Sequence, residues 1–116
     1  MLIHEGYDGR SWLSLRFRSR DIDLQDSTMR LVPGACPAKT NDVVEWRGIW
    51  HGPEFVPYAL IYRLSRTDPV ASKEYTGLLV VRLAGEQSTA IAYVDAADGD
   101  AKARRIADED HSYRPR

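Results

Sequence analysis

Four consecutive apolar residues, Leu78-Leu79-Val80-Val81, are followed by the turn signal Gly85-Glu86-Gln87 and then by a second apolar stretch containing Ile91, Tyr93 and Val94. An apolar run bounded by turn residues and only a few positions from its successor predicts an antiparallel hairpin with a buried first strand. The chain then changes period. Ala103, Ile106 and Ala107 recur at spacings of three and four, the mark of a helix with a narrow apolar stripe. Asp98 supplies an N-cap, and Asp100 places negative charge in the first turn, where the helix dipole favours it. Asp98 with Lys102 and Asp100 with Arg104 are four apart in the favourable order, worth about 0.3–0.5 kcal/mol each at most. Residues 75–109 therefore predict a hairpin running into a short helix, whose small stripe residues let it lie close to the sheet. Residues 111–116 are expected to form a flexible tail.

Upstream, residues 12–20 alternate strictly, with Leu13, Leu15 and Phe17 on one face and Trp12, Ser14, Arg16, Arg18 and Arg20 on the other. A period of two predicts a half-buried strand. Residues 21–32 are ambiguous: Ile22 and Leu24 continue the alternation, and residues 28–32 suit a second short strand. Pro33-Gly34 and Pro37 then break the chain, and that loop holds Cys36. Residues 42–50 predict a strand with Val44, Trp46 and Trp50 on one face and a bulge at Gly48, followed by a Gly52-Pro53 turn. Residues 55–64 are apolar on both faces: Val56, Tyr58, Leu60, Tyr62 and Leu64 on one, Phe55, Ala59 and Ile61 on the other. That pattern predicts a central strand covered on both sides, with Pro57 at its start. Residues 67–74 read as a polar loop. The expected fold is α+β, an antiparallel sheet of about five strands with one C-terminal helix packed on it, forming a single domain over residues 1–110.

A chain of 116 residues encloses one modest core. A formal net charge of −1 creates no demand for nucleic acid or an anionic membrane. A lone cysteine excludes an intrachain disulfide and a thiolate metal site. The N-terminus, Met1-Leu2-Ile3-His4-Glu5-Gly6, has neither the basic start nor the apolar run of a signal peptide. No stretch approaches the roughly 18 apolar residues that span a bilayer. The expectation is a cytoplasmic protein without membrane contact, or an exported one if a signal has been removed.

The motifs for chemistry are sparse, and no catalytic residue, cofactor or metal is expected. Cys36 and His51 both fall in predicted loops near one strand, which raises a nucleophile–base pair, but no local signature supports it. His4-Glu5 lacks the second histidine of a zincin. Asp95, Asp98 and Asp100 fail the calcium-loop spacing: a start at Asp95 puts Ala97 at position 3, and a start at Asp98 puts Lys102 at position 5. Helix capping accounts for them. No glycine-rich phosphate loop occurs.

Two surfaces remain. One is the face of the first strand with Arg10, Trp12, Arg16, Arg18 and Arg20, where arginine interleaved with an aromatic suits phosphates and bases or an acidic protein. A solvated strand face, with Arg18 and Arg20 offset by Asp21, Asp23 and Asp26, explains the same residues. The other is the turn His51-Gly52-Pro53-Glu54 beside Trp50, a candidate pocket rim, near aromatics (Trp46, Trp50, Tyr58, Tyr62) that suit a core equally well.

From Glu45 onward, Glu45-Trp46-Arg47, residues 57–63 (Pro-Tyr-Ala-Leu-Ile-Tyr-Arg), residues 77–83 (Gly-Leu-Leu-Val-Val-Arg-Leu), Ala92-Tyr93-Val94-Asp95-Ala96 and residues 103–108 (Ala-Arg-Arg-Ile-Ala-Asp) follow one another in an order and spacing that resembles a family of small, uncharacterised alphaproteobacterial proteins. The resemblance covers somewhat more than half the chain and implies a shared fold unit, with no activity attached. Members look exported and carry cysteines near the Tyr-Val-Asp-Ala strand and after the helix. Here Thr89-Ala90 and His111-Ser112-Tyr113 occupy those stretches.

The function expected from these residues is a small non-enzymatic binding domain that contacts another protein through Trp12, Arg16 and Arg18 or through Trp50, His51 and Glu54. An inhibitor of the immunity or phage anti-defence kind, a weak nucleic-acid binder using the Arg-Trp face, and a Cys/His-dependent enzyme are the alternatives. An outer edge strand equally suits a homodimer.

Overall fold

The computed structural model describes residues 2–7, 10–17, 20–31, 37–68, 73–85, 87–95 and 99–113. In chain order they form β1 (Leu2–Tyr7), β2 (Arg10–Phe17), β3 (Arg20–Asp23), α1 (Gln25–Leu31), β4 (Pro37–His51), β5 (Glu54–Asp68), β6 (Lys73–Arg82), β7 (Thr89–Asp95) and α2 (Gly99–Tyr113). Every strand pairing is antiparallel. The strands make a three-stranded meander, β1-β2-β3, and a four-stranded sheet, β4-β5-β6-β7. The class is α+β, as expected. The sheet that carries the C-terminal helix has four strands rather than about five, because the alternating segment that begins near Trp12 pairs with β1 and β3 instead.

The four-stranded sheet is buried on both faces, which is why β5 and β6 are apolar at successive positions. On one face, Ala59, Ile61, Leu78, Val80 and Val94 meet Ala103 and Ala107 of α2. The predicted helical stripe is therefore the docking face, and its two alanines are fully buried. On the other face, Leu60, Tyr62, Leu64, Leu79, Val81 and Ala90 pack with Leu24, with Ile22 and Leu31 partly buried against them. The helix α2 continues through Tyr113, where a tail was expected from position 111. The Asp98 cap lies outside the described residues.

Residues 25–31 are helical, which corrects the expected short strand at 28–32. Leu24, Ser27, Thr28 and Leu31 are spaced for one side of a helix, and the Thr28 N–H donates to the Leu24 carbonyl at 3.0 Å. Burying that set together requires the helical repeat, not the period of two. Ser27 Oγ accepts from the Ala90 N–H at 3.1 Å and donates to the Leu24 carbonyl at 3.3 Å. The short helix thereby satisfies a backbone donor of the edge strand β7.

Two irregularities reset which residues share a face. Arg47 stands opposite Ala59 and Gly48 opposite Pro57, which leaves Tyr58 as an extra residue in β5. The predicted irregularity at Gly48 is present, with the added residue on the facing strand. Tyr58 is turned to the α2 side beside Ala59 rather than sharing a face with Leu60 and Tyr62. Pro57 lies within β5 at this bulge, not at the strand start, and a bulge is where a missing N–H is tolerated. In β7, Val80 pairs with Ala92 and Val81 with Ala90, so Ile91 is extra and joins Ala92 in the α2 layer. Of the polar loop expected over residues 67–74, residues 67–68 are strand at the end of β5 and 73–74 strand at the start of β6, and residues 69–72 lie outside the described residues.

Candidate functional site

Beyond the Tyr58 bulge the β4–β5 hairpin continues as an arm. Its last pairs are Ile49 with Val56, Trp50 with Phe55 and His51 with Glu54. The two-residue loop Gly52-Pro53 closes it, and Gly52 has φ +60°. Positive φ at the first central position is what a type II′ hairpin turn needs, and glycine adopts it without strain. Successive pairs face opposite sides of the arm. Ile49 and Val56 are 42% and 44% exposed and Trp50 is 66% exposed, so the arm is apolar and open on both sides; Trp46, 42% exposed, stands opposite Leu60 on the sheet side of the bulge. The Trp50 and Phe55 rings lie tilted at 57° with centroids 5.2 Å apart. Beside the arm an open groove of about 690 Å³ is lined by Trp46, Trp50 and Phe55 together with Glu45, Arg63 and Asp100. Arg63 and Asp100 approach to 3.9 Å, both half-exposed.

A set of ion pairs holds α2 next to this groove. Arg47 grips Asp108 with two parallel bonds, Nε to Oδ1 at 2.8 Å and Nη2 to Oδ2 at 2.7 Å. The Tyr58 hydroxyl, delivered by the bulge, donates to Asp108 Oδ1 at 2.6 Å, and its ring stacks on His111 with centroids 4.0 Å apart. Arg47 also reaches Glu45 at 3.2 Å, and Arg104 donates to both Glu45 oxygens at 2.8–3.1 Å. Arg82 grips Asp110 with two guanidinium nitrogens. Arg104, expected to pair locally with Asp100 and still feeling its charge, makes its hydrogen bonds to Glu45 on the sheet, and Asp100 approaches Arg63.

These contacts set the protonation states. The Arg47 bonds hold the Asp108 carboxyl below its ordinary range against the opposing effect of burial, and Tyr58 adds to them. Arg104 does the same for Glu45, again against burial and with help from Arg47. Burial first, then the Asp108 carboxylate, raises the Tyr58 phenol. In the opposite layer burial pushes Tyr62 up to about 12, with a weaker downward pull from the Thr28 hydroxyl. Tyr62 Oη and Thr28 Oγ1 are both buried, and neither completes a hydrogen bond of ordinary geometry.

Among the sequence candidates, Trp50, His51 and Glu54 come together at the arm tip, all exposed. Trp12 and Arg16 lie in β2, opposite Glu5 and Asp21 in the register. Arg18 lies outside the described residues, as does Cys36, and with it the Cys36–His51 pair. Sequence reasoning missed Ile49 and Val56 as surface, although apolar residues on both faces within three positions of a polar turn signal an uncovered arm. It also missed the Arg47–Asp108 clamp, whose partners are 61 residues apart and carry no local signal. Among the described residues no group of three or more His, Cys, Asp or Glu is placed to hold a metal ion, and no helix is long and apolar enough to cross a membrane. No family model, curated protein or solved structure matches the chain.

Proposed function

We propose that the chain is a non-enzymatic protein-interaction domain whose contact surface is the β4–β5 arm with its adjoining groove. The observation that carries this is Trp50, 66% exposed on the paired β4–β5 hairpin. Leaving a tryptophan in water forgoes roughly 1.5–3 kcal/mol of burial. Such a residue on a two-χ side chain is the usual anchor of an interface. Trp46 and Phe55 beside it supply a hydrophobic centre, Glu45, Arg63 and Asp100 a polar rim of the groove, and exposed Glu54 a charge at the arm tip, which is the anatomy of a contact site. The test is affinity capture from native-host extract with the wild-type chain and with Trp50→Ser as baits, read by mass spectrometry. A stoichiometric protein captured by the first and lost by the second is expected. Capture that is indifferent to Trp50, or capture of background alone, refutes the proposal.

A further inference from the structure

We infer that the arm's partner is a second copy of this chain, each arm seated in the other's groove; the inference rests on the arm being a binding surface. Three observations favour this occupant. The first is shape. An arm open on both sides must be covered on both sides, and a flat helix or strand covers only one. A neighbouring arm with its groove encloses it, and because arm and groove adjoin on one molecule, a two-fold axis near Trp50 satisfies both copies at once.

The second is area. At 42–66% exposure the two tryptophans, Ile49 and Val56 leave roughly 350 Å² of apolar surface open, from side chains of roughly 100–250 Å² each. A standard interface takes about 800 Å² from each partner, of which about 56–65% is apolar. The arm with the Phe55 wall of the groove supplies most of that apolar share. The third is charge. The turn ends on exposed Glu54. The groove wall carries Glu45, already bound by Arg104 and Arg47, and half-exposed Arg63, which its own Asp100 approaches only to 3.9 Å. Exchange of arms therefore brings Glu54 to Arg63 as a second carboxylate partner, twice.

Sedimentation velocity from about 1 to about 500 µM spans the dissociation constants of such a contact. Twice the monomer mass is expected at the upper end. Trp50→Ser and Arg63→Glu each weaken association at least tenfold, and Glu54→Arg combined with Arg63→Glu recovers most of the loss. The substituted residues are exposed, and circular dichroism of each variant confirms the fold. A wild type that stays monomeric throughout, or a dimer unmoved by these substitutions, overturns the inference. In that event Trp50-dependent capture of a different protein keeps the binding-surface proposal standing, and its absence removes that proposal as well.

Discussion

Replacing Asp108 with asparagine keeps the side-chain volume and removes the charge on which α2 is anchored. The helix has only a small apolar face to hold it, and its other polar ties, Arg104 with Glu45 and Arg82 with Asp110, lie to either side of this residue. Its buried stripe is Ala103 and Ala107 with Ile106 at the margin, and one buried methyl contributes about 0.8 kcal/mol. Asp108 accepts two bonds from Arg47 and one from Tyr58. Hydrogen bonds to a charged group contribute about 1.5–3 kcal/mol each when shielded. The Asp108 and Arg47 side chains are 42% and 28% exposed, which moves the pair toward the 0.2–1 kcal/mol range of surface bridges. The amide oxygen retains one acceptor. The expected loss is about 1–2 kcal/mol at pH 7, or a fall in melting temperature of about 4–8 °C. Urea unfolding followed by circular dichroism measures it. The native carboxyl titrates below its unfolded value of about 3.9, so its stabilisation is present above that pH and is lost as pH falls through the native value. The gap between wild type and variant should therefore close in strong acid. A gap below about 0.5 kcal/mol at pH 7, or one that persists undiminished at pH 2, would refute the clamp as the anchor of α2.

Gly48→Ala should destabilise the fold by about 1–3 kcal/mol in thermal melts, because an added Cβ would stand 2.6 Å from Pro57 Cα and 2.8 Å from Phe55 Cζ, and nearer still to the Val56 carbonyl. No loss would mean that the strands do not approach so closely at the bulge. Tyr62→Phe should be neutral or stabilising by up to about 1 kcal/mol, since the buried hydroxyl completes no ordinary hydrogen bond. The raised phenol also means that wild-type stability is intact below pH 10 and declines as pH rises toward about 12, a decline the variant should show less; a clear loss of stability on substitution would show that the hydroxyl has a partner.

The sequence by itself determined what depends on local period. The doubly apolar stretch at 55–64, the close pair of apolar runs after Tyr75 and the 3–4 spacing of Ala103, Ile106 and Ala107 became strands or helix because burial on a chosen side permits only one repeat, and the alternating residues 12–17 and 42–50 are strands as well. The turn at Gly52 was legible for a similar reason, since its conformation is a property of two residues. Tertiary structure alone decided the rest. One added residue at Tyr58 and another at Ile91 shifted the phase of two strands, and no period-two count anticipates a shift that the partner strand imposes. The first alternating strand joined a separate meander because alternation specifies a face and not a neighbour. Arg47 and Asp108 carry no local signal of their pairing, and Arg104 has a local partner in Asp100; Glu45 on the sheet offers Arg104 a bidentate contact, which is stronger than a single-point pair along one helix face. Trp50 became surface for a related reason: the arm extends past the described residues that cover the sheet, and how far a hairpin outruns its neighbours depends on where those neighbours end.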